Sequence, residues 1–444
     1  MKFKRVIYIA AALLALLVVA PFLIPTGTYL KQIERLASEK LGQPVAIGSL
    51  HVALLPTPRA NIGNTRVGSN EEIQVEKITV IPDIATLFAA TRVISRIEVK
   101  QPVIKKAALD MLGQLAGKGE ATQGAAPVVI RHLVVQEARL EWEGMNLPEM
   151  DAEVELSDDG KPQSAKIASV DGKLKLDVVP KEEGYAITLD AQKWTPPAGP
   201  ALVFDSLKAD MALQGSKLDV SAVTAKLYRG TVDGNATLDW TKEWRASGKF
   251  KTAGIEVEEV ARLFSKSTRV SGRLSGNGTF SASAKEAAAL ADRLTLDFRF
   301  NVANGVLYGM DLVKAASMLI KQEYHGGETK FDELSGLLHA VGKQYELRDL
   351  KVSSGLLLAK GGVKISPAKK LDGQVDVELK QGRGLVTVPL QISGTVDEPK
   401  VMPTKGAMAG AIAGTAVLGP LGTGVGMKAG SAIGKLFGDS KNKK

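Results

Sequence analysis

The segment Leu174-Lys175-Leu176-Asp177-Val178 alternates strictly between apolar and charged side chains. A period of two places the apolar residues on one face of an extended strand, which is typical of a strand with one buried and one solvated face. The same alternation recurs at residues 186–190, 218–222 and 375–380. Turn-forming pairs separate such runs, among them Asp171-Gly172, Asp233-Gly234 and Asn304-Gly305. The chain is therefore predicted to be mainly β, with roughly 20–25 strands in a long antiparallel sheet.

Helical periodicity is confined to short segments. An amphipathic helix is predicted over residues 30–41 and should end at Gly42. Three further short helices are predicted over residues 84–91, 256–264 and 311–322. These helices are too few to cover some twenty strands, so the apolar face needs another cover. Either the sheet closes on itself as a sandwich, or it curls like a taco and leaves an apolar groove.

An open groove would suit acyl chains, because its walls would carry aliphatic side chains without charges. The predicted groove-lining residues are Leu176, Leu189, Leu213, Leu238, Val377 and Val386. Their neighbours on the opposite face are Asp177, Asp190, Asp239 and Asp376. A slip of one residue in strand register would exchange these two sets.

The composition of the 444 residues excludes several kinds of chemistry. The absence of cysteine removes disulfides, thiolate metal sites and cysteine nucleophiles. None of the four histidines stands in an H-E-x-x-H arrangement, and neither a G-x-S-x-G elbow nor a phosphate-binding loop occurs. Aromatic residues make up 5%, too few for base-stacking platforms. We therefore expect no enzyme activity, no cofactor, no metal and no nucleic-acid partner.

The N-terminus has the pattern of a membrane segment. Lys2, Lys4 and Arg5 precede an apolar run over residues 6–24, which as a helix would reach about 28 Å and nearly cross a bilayer. A cleaved signal peptide has similar features, but this run is longer than usual and lacks a small-residue cleavage site. We predict an uncleaved anchor with its N-terminus in the cytoplasm, because the positive charges precede the span.

The C-terminal segment repeats glycine at intervals of four residues. Such spacing creates a helix face that another backbone can approach closely in a membrane. The residues predicted to form this face are Gly406, Gly410, Gly414, Gly426, Gly430 and Gly434. A flexible low-complexity tail is the alternative, since glycine destabilises helices in water.

Several blocks, in a specific order, resemble the AsmA family of bacterial envelope proteins. Near the N-terminus these are Gly42-Gln43-Pro44-Val45 and Leu54-Leu55-Pro56-Thr57-Pro58. Toward the C-terminus they are residues 270–274, 304–312, 348–361 and 388–400. The resemblance covers roughly residues 1–110 and 250–403. The middle third shares only the recurrent strand–turn–strand pattern. It implies an inner-membrane protein with a large periplasmic β-rich body, linked to outer-membrane assembly and to phospholipid transport through a hydrophobic groove.

The sequence thus predicts five regions. These are an anchor (1–27), an AsmA-like N-terminal region (28–115), a middle sheet (128–250), an AsmA-like C-terminal β region (251–403) and a glycine-rich segment with a basic tail (404–444). The expected function is phospholipid binding in support of lipid transport or outer-membrane assembly. A scaffold or regulator of outer-membrane protein assembly that holds no lipid is the alternative. The expected partners are phospholipids, the inner membrane and, through the C-terminal segment, the outer membrane or an envelope protein.

Overall fold

A computed structural model of the chain describes residues 26–86, 89–108, 128–143, 145–197, 201–263, 270–317, 327–381, 384–418, 427–429 and 431. Two compact units can be distinguished. The first comprises Met1–Gln192 with Ala212–Gln214, and the second comprises Lys193–Met211 with Gly215–Lys444. Strands dominate the described residues of both units.

The described elements, in chain order, include four α-helices and 21 strands. The helices are α1 (Thr26–Leu41), α2 (Val257–Arg262), α3 (Leu312–Ser317) and α4 (Lys405–Leu418). The strands up to residue 194 are β1 (Val45–Ala53), β2 (Arg59–Val67), β3 (Ile73–Pro82), β4 (Arg92–Lys105), β5 (Val128–Glu141), β6 (Met150–Leu156), β7 (Pro162–Ser169), β8 (Leu174–Lys181) and β9 (Gly184–Trp194). The next six are β10 (Phe204–Gln214), β11 (Lys217–Leu227), β12 (Gly230–Asp239), β13 (Trp244–Glu256), β14 (Arg273–Ala284) and β15 (Thr295–Tyr308). The last six are β16 (Glu328–Val341), β17 (Gln344–Ser353), β18 (Leu357–Ile365), β19 (Leu371–Gln381), β20 (Gly384–Gly394) and β21 (Pro399–Pro403).

In the first unit each strand from β1 to β9 pairs with the next. All of these pairs are antiparallel except β4–β5, which is parallel. A parallel pair needs a long crossover, and the 22 residues between Lys105 and Val128 supply it. The antiparallel order predicted from the sequence is therefore interrupted once in this unit.

Helix α1 is fastened to β1 by side chains of its inner face. The Glu34 carboxylate accepts a 2.7 Å hydrogen bond from the Ile47 amide, and the Ser38 hydroxyl accepts one of 2.9 Å from the Val45 amide. The helix ends where Gly42 takes a φ of 60°, a left-handed conformation that glycine adopts without strain. The predicted helix and its glycine stop are both confirmed.

In the second unit β11 to β21 pair consecutively and antiparallel. Its hydrophobic core lies at the C-terminal end, where apolar residues of β15 to β21 pack with α3 and α4. Helix α3 contributes Leu312, Ala315 and Ala316 to this core, all of them buried. One face of this part of the sheet is thus covered by helices of the same unit.

The prediction of a mainly β, mostly antiparallel protein with a few short helices is confirmed. The predicted helix over residues 84–91 is shorter, a single 3-10 turn at Ile84–Thr86. The other two predicted helices correspond to α2 and α3, which are also shorter as far as the described residues extend. Among the described helices none is both long and apolar enough to cross a bilayer. The predicted anchor falls on residues outside the described ranges.

Two of the predicted turns are wrong. Asp233-Gly234 lies inside β12, and Asn304-Gly305 lies inside β15. Asp233 and Gly234 pair with Lys251 and Phe250 of β13. Asn304, with a φ of 51°, interrupts the ladder with β16 locally, and pairing resumes at Gly305↔Phe331. In each case the glycine faces a phenylalanine on the next strand.

Candidate functional site

The apolar face of the second unit is built from side chains that lie in register across many strands. In one row Val352, Ala359, Val377 and Val388 are successive Cα partners on β17 to β20. Each of these residues is buried beside the helices. Because cross-strand partners point to the same side, a period-two sequence on every strand produces one continuous apolar surface.

A cavity of about 230 Å³ opens in this face beside α3. It lies between β15 to β20 and the start of the helix, and its walls include Phe300, Leu334, Leu350, Val363 and Val375. Every residue that lines it is apolar. Apolar cavities of roughly 150 Å³ stay dry and accept benzene-sized ligands. This one is therefore large enough for a segment of hydrocarbon.

Aromatic side chains continue the apolar face from the cavity toward β12. The rings of Phe298 and Phe300 lie 6.2 Å apart, and those of Phe250 and Phe298 lie 5.4 Å apart. Phe300 belongs to both the cavity wall and this aromatic series. Whereas Phe298 is 9% exposed, Phe250 and Phe300 are half-buried. The aromatic part of the face is thus partly accessible at Phe250 and Phe300.

The opposite face of the same strands is charged and exposed. On β13, Arg245, Lys249 and Lys251 alternate with the apolar-face residues, and on β15 Asp297 and Arg299 do so. Oδ1 of Asp297 lies 2.7 Å from Nδ1 of the His339 ring, across the β15–β16 pair. This division of charge confirms which face of these strands is turned to water.

The carboxylate of Asp239, predicted to face outward, is held in its charged form. A 2.8 Å hydrogen bond from the Thr241 amide is the main cause that lowers its pKa, and nearby cations add to the effect. Its Cα partners Lys217 and Arg245 carry the opposite charge. A charged group maintained here favours water, not hydrocarbon, on this side of β12.

The structure places the predicted groove residues in both units. Leu176 and Leu189 are direct partners on β8 and β9, and both are half-buried. Leu213 is half-buried near the end of β10. Leu238 is half-buried between its partners Leu218 and Ala246. The described chain thus brings Leu176 and Leu189 together in one unit, with Leu238 in the other.

Val377 requires a correction. Its side chain points to the apolar face as predicted, but it is 0% exposed because α3 and α4 complete a closed core around it. It therefore does not line an accessible surface. Val386 is the Cα partner of the buried Leu379. The side chain of Val386 lies outside the described part of the structure.

The predicted glycine face falls partly on α4. Gly406, Gly410 and Gly414 belong to this helix, whereas Gly426, Gly430 and Gly434 lie outside the described residues. The residues that α4 buries in the core are Ala407 and Ala411, one turn apart. Ile412, on the other side of the helix, is 71% exposed. This helix thus packs on its own unit along an alanine edge, and membrane contact of the segment stays a prediction.

The aromatic series is the part of the face that sequence patterning missed. Its signal was present in glycines placed inside strands, such as Gly248, Gly276 and Gly278, on alternate positions. Interior strand glycine often marks a close approach by another group. Within the described ranges, no cluster of three or more histidine or carboxylate side chains is arranged to hold a metal.

The second unit is thus a sheet with one charged and one apolar face, the latter carrying an all-apolar cavity. The AsmA family model matches residues 187–341, roughly a third of the chain. The matched residues run from β9 to β16 and contain the aromatic series. They include residues 187–249, which none of the motifs of the sequence resemblance covered. Searches of curated proteins and of solved structures found no match.

Proposed function

We propose that this AsmA-family protein binds acyl chains of phospholipids on its apolar face and thereby supports lipid transport and outer-membrane assembly. The observation that carries the proposal is the cavity beside α3, whose lining residues are all apolar and which joins the aromatic series through Phe300. The family assignment independently favours an envelope role. No chemical step is needed for this function, and the protein is proposed to be a binding protein without enzyme activity.

The chemistry of the cavity favours hydrocarbon over a peptide. A peptide placed there would bury backbone amides and carbonyls against apolar side chains, without hydrogen-bond partners. Such unpaired groups cost roughly 2–7 kcal/mol each on transfer to an apolar environment. An acyl chain has no such groups and gains about 0.8 kcal/mol for each methylene it buries.

The proposed location is the bacterial inner membrane, with residues 1–27 as a single anchor and the rest of the chain in the periplasm. The charges of Lys2, Lys4 and Arg5 before the apolar run support this orientation. Fractionation of a C-terminally tagged chain tests it: the protein should stay with inner membranes after carbonate washing and should retain its N-terminus. Release of a chain that begins near Thr26 would contradict the anchor.

Site-specific photo-crosslinking in cells tests the binding function. A photoreactive residue at Leu238 should capture phospholipid, whereas one at the adjacent Asp239 should not, because the two side chains face opposite sides of β12. Leu350 in the cavity wall and Lys351 beside it form a second matched pair on β17. Lipid on neither Leu238 nor Leu350, together with capture of an outer-membrane assembly protein, would favour the scaffold function instead. Equal capture on both faces would also contradict the proposal.

A further inference from the structure

Phenylalanine rings of the second unit lie on glycines of the neighbouring strands. The Phe250 ring lies against Gly278, the Phe280 ring against Gly248, the Phe298 ring against Gly276 and the Phe300 ring against Gly336. Phe331 stands opposite Gly305 in the same way. Aromatic residues paired with glycine across strands shield the backbone that glycine leaves bare. The arrangement recurs along β12 to β16.

These rings lie so low that no other residue fits beneath them. A Cβ added to Gly248 would be 2.6 Å from the Phe280 ring, and one added to Gly276 would be 2.7 Å from the Phe298 ring. For Gly278 the corresponding distance to the Phe250 ring is 2.8 Å. Carbon atoms in contact prefer about 3.5–4.0 Å, so a side chain here would press on the ring. It would also press on a carbonyl oxygen of the neighbouring strand, which lies 2.3–2.6 Å from the same Cβ. The glycines therefore determine the height of the rings.

Ring height matters because the rings form the surface that continues from the cavity. Phe300 is part of the cavity wall, stacks near Phe298 and lies over Gly336. The cavity, at about 230 Å³, is smaller than the 300–1,000 Å³ of pockets that accept drug-sized ligands. Only a slender group enters it, and a raised ring at its wall would narrow it further.

We propose that the glycines beneath the aromatic series are specificity-determining residues: they keep the rings flat and so leave clearance for unbranched, extended hydrocarbon chains. The inference rests on the proposed lipid-binding function and adds to it the shape of the chain that is accepted. A methyl-branched chain needs more height above the same rings. It should bind less well than a straight chain of equal length.

Gly336→Ala is the variant that raises a ring with the least disturbance of the backbone. Its Cβ would meet Cδ2 of Leu350, another residue of the cavity wall, at 3.0 Å, the Arg348 carbonyl at 3.1 Å and the Phe300 ring at 3.2 Å. At Gly276 and Gly278 the added atom would instead press more closely on a carbonyl oxygen of β15. Gly362→Ala is the matched control, because its Cβ would meet the Leu347 carbonyl at 3.0 Å but no ring, on the charged face.

Equilibrium binding of radiolabelled palmitate, and of a methyl-branched acid of the same length, to the purified full chain tests the inference. The native protein should prefer palmitate. Gly336→Ala should bind it about tenfold more weakly, a change of about 1.4 kcal/mol, as expected if two methylenes lose contact. Gly362→Ala should bind it like the native protein. The double variant Gly336→Ala/Phe300→Leu should regain binding, because the ring that was raised is gone.

The outcomes separate this inference from the function on which it rests. If the native protein binds neither acid, lipid binding itself is wrong. If the native protein binds palmitate and Gly336→Ala binds it equally well, the glycines do not set the clearance. Failure of the double variant to regain binding would also overturn the inference, because it would indicate a general packing defect. Should Gly336→Ala not fold, Phe300→Trp replaces it, since a larger ring raises the same surface without a new backbone contact.

Discussion

Replacement of Thr329 by valine should release helix α3 from the sheet. Thr329 lies on β16 and is 1% exposed. Its hydroxyl donates a 2.8 Å hydrogen bond to the Met310 carbonyl and accepts one of 2.9 Å from the Leu312 amide, the first amide of α3. The hydroxyl thus bridges the two ends of the turn that leads into the helix. Valine has the same shape but provides neither bond.

The expected magnitude follows from the groups that the substitution leaves behind. The Leu312 amide would be left without its buried partner, at a cost of about 1–3 kcal/mol, and the lost bond to Met310 adds about 1 kcal/mol. The total of about 2–4 kcal/mol corresponds to roughly 30- to 700-fold more frequent opening of this helix. Thr329→Ser keeps both bonds and loses one methyl group, which costs only about 0.8 kcal/mol.

Hydrogen exchange measured by mass spectrometry over residues 310–317 is the suitable assay, because a chain with two units does not unfold as a single two-state transition. Exchange of these amides should accelerate strongly in Thr329→Val and only slightly in Thr329→Ser. Equal acceleration in the two variants would refute the reasoning, since the methyl group and not the hydroxyl would then hold α3. No change in either variant would show that other core contacts suffice.

Three further predictions concern stability. The pKa of Asp171 is lowered to about 2, mainly by a hydrogen bond from the Ser169 hydroxyl. The charged carboxylate therefore stabilises the first unit above pH about 4, and this stabilisation is lost as the pH falls through 2. Asp171→Asn should abolish that part of the pH dependence in unfolding curves recorded from pH 5 to 2, and an unchanged profile would contradict the assignment. Val377→Ala should cost about 2 kcal/mol in the denaturant-induced transition of the second unit, because it opens a cavity in the core. Leu238→Ala, at a half-buried position of the same unit, should cost less than the 2–5 kcal/mol of a buried leucine. Asn304 has a φ of 51°, a left-handed conformation that a β-branched residue adopts only with strain. Asn304→Val should therefore destabilise the protein by about 1–2 kcal/mol, and Asn304→Gly should not. Equal melting temperatures of the two variants would refute this prediction.

The alternation of apolar and charged residues was sufficient to predict a β protein and the face to which each side chain points. Leu176 and Leu189 face the same side and are partners, as the pattern required. Glycine after an amphipathic segment likewise predicted the end of α1 at Gly42. These features depend on a strand's two-residue period or on one residue's backbone freedom, and both are local properties.

The cover of the apolar face could not be read from the sequence. Val377 and Leu238 have the same alternating surroundings, yet Val377 is enclosed by α3 and α4 while Leu238 is half-buried. On α4 the residues that pack in the core are Ala407 and Ala411, which the glycine pattern did not identify; membrane contact of this segment stays a prediction. Gly234 and Gly305 were predicted to form turns, but both lie within strands opposite a phenylalanine, and the Phe331 ring lies against Gly305.

The physical reason is the same in each case. A strand's own sequence determines its period and hence its faces, because alternate side chains must point to opposite sides. Whether an interior glycine makes a turn or receives a ring depends on the residue that strand pairing places opposite it, which can be 26 positions away, as for Gly305 and Phe331. Burial depends in turn on which distant element packs over that face. Sequence alone therefore determined the strands and their two faces, whereas the partners, the cover and the cavity were decided by the tertiary structure.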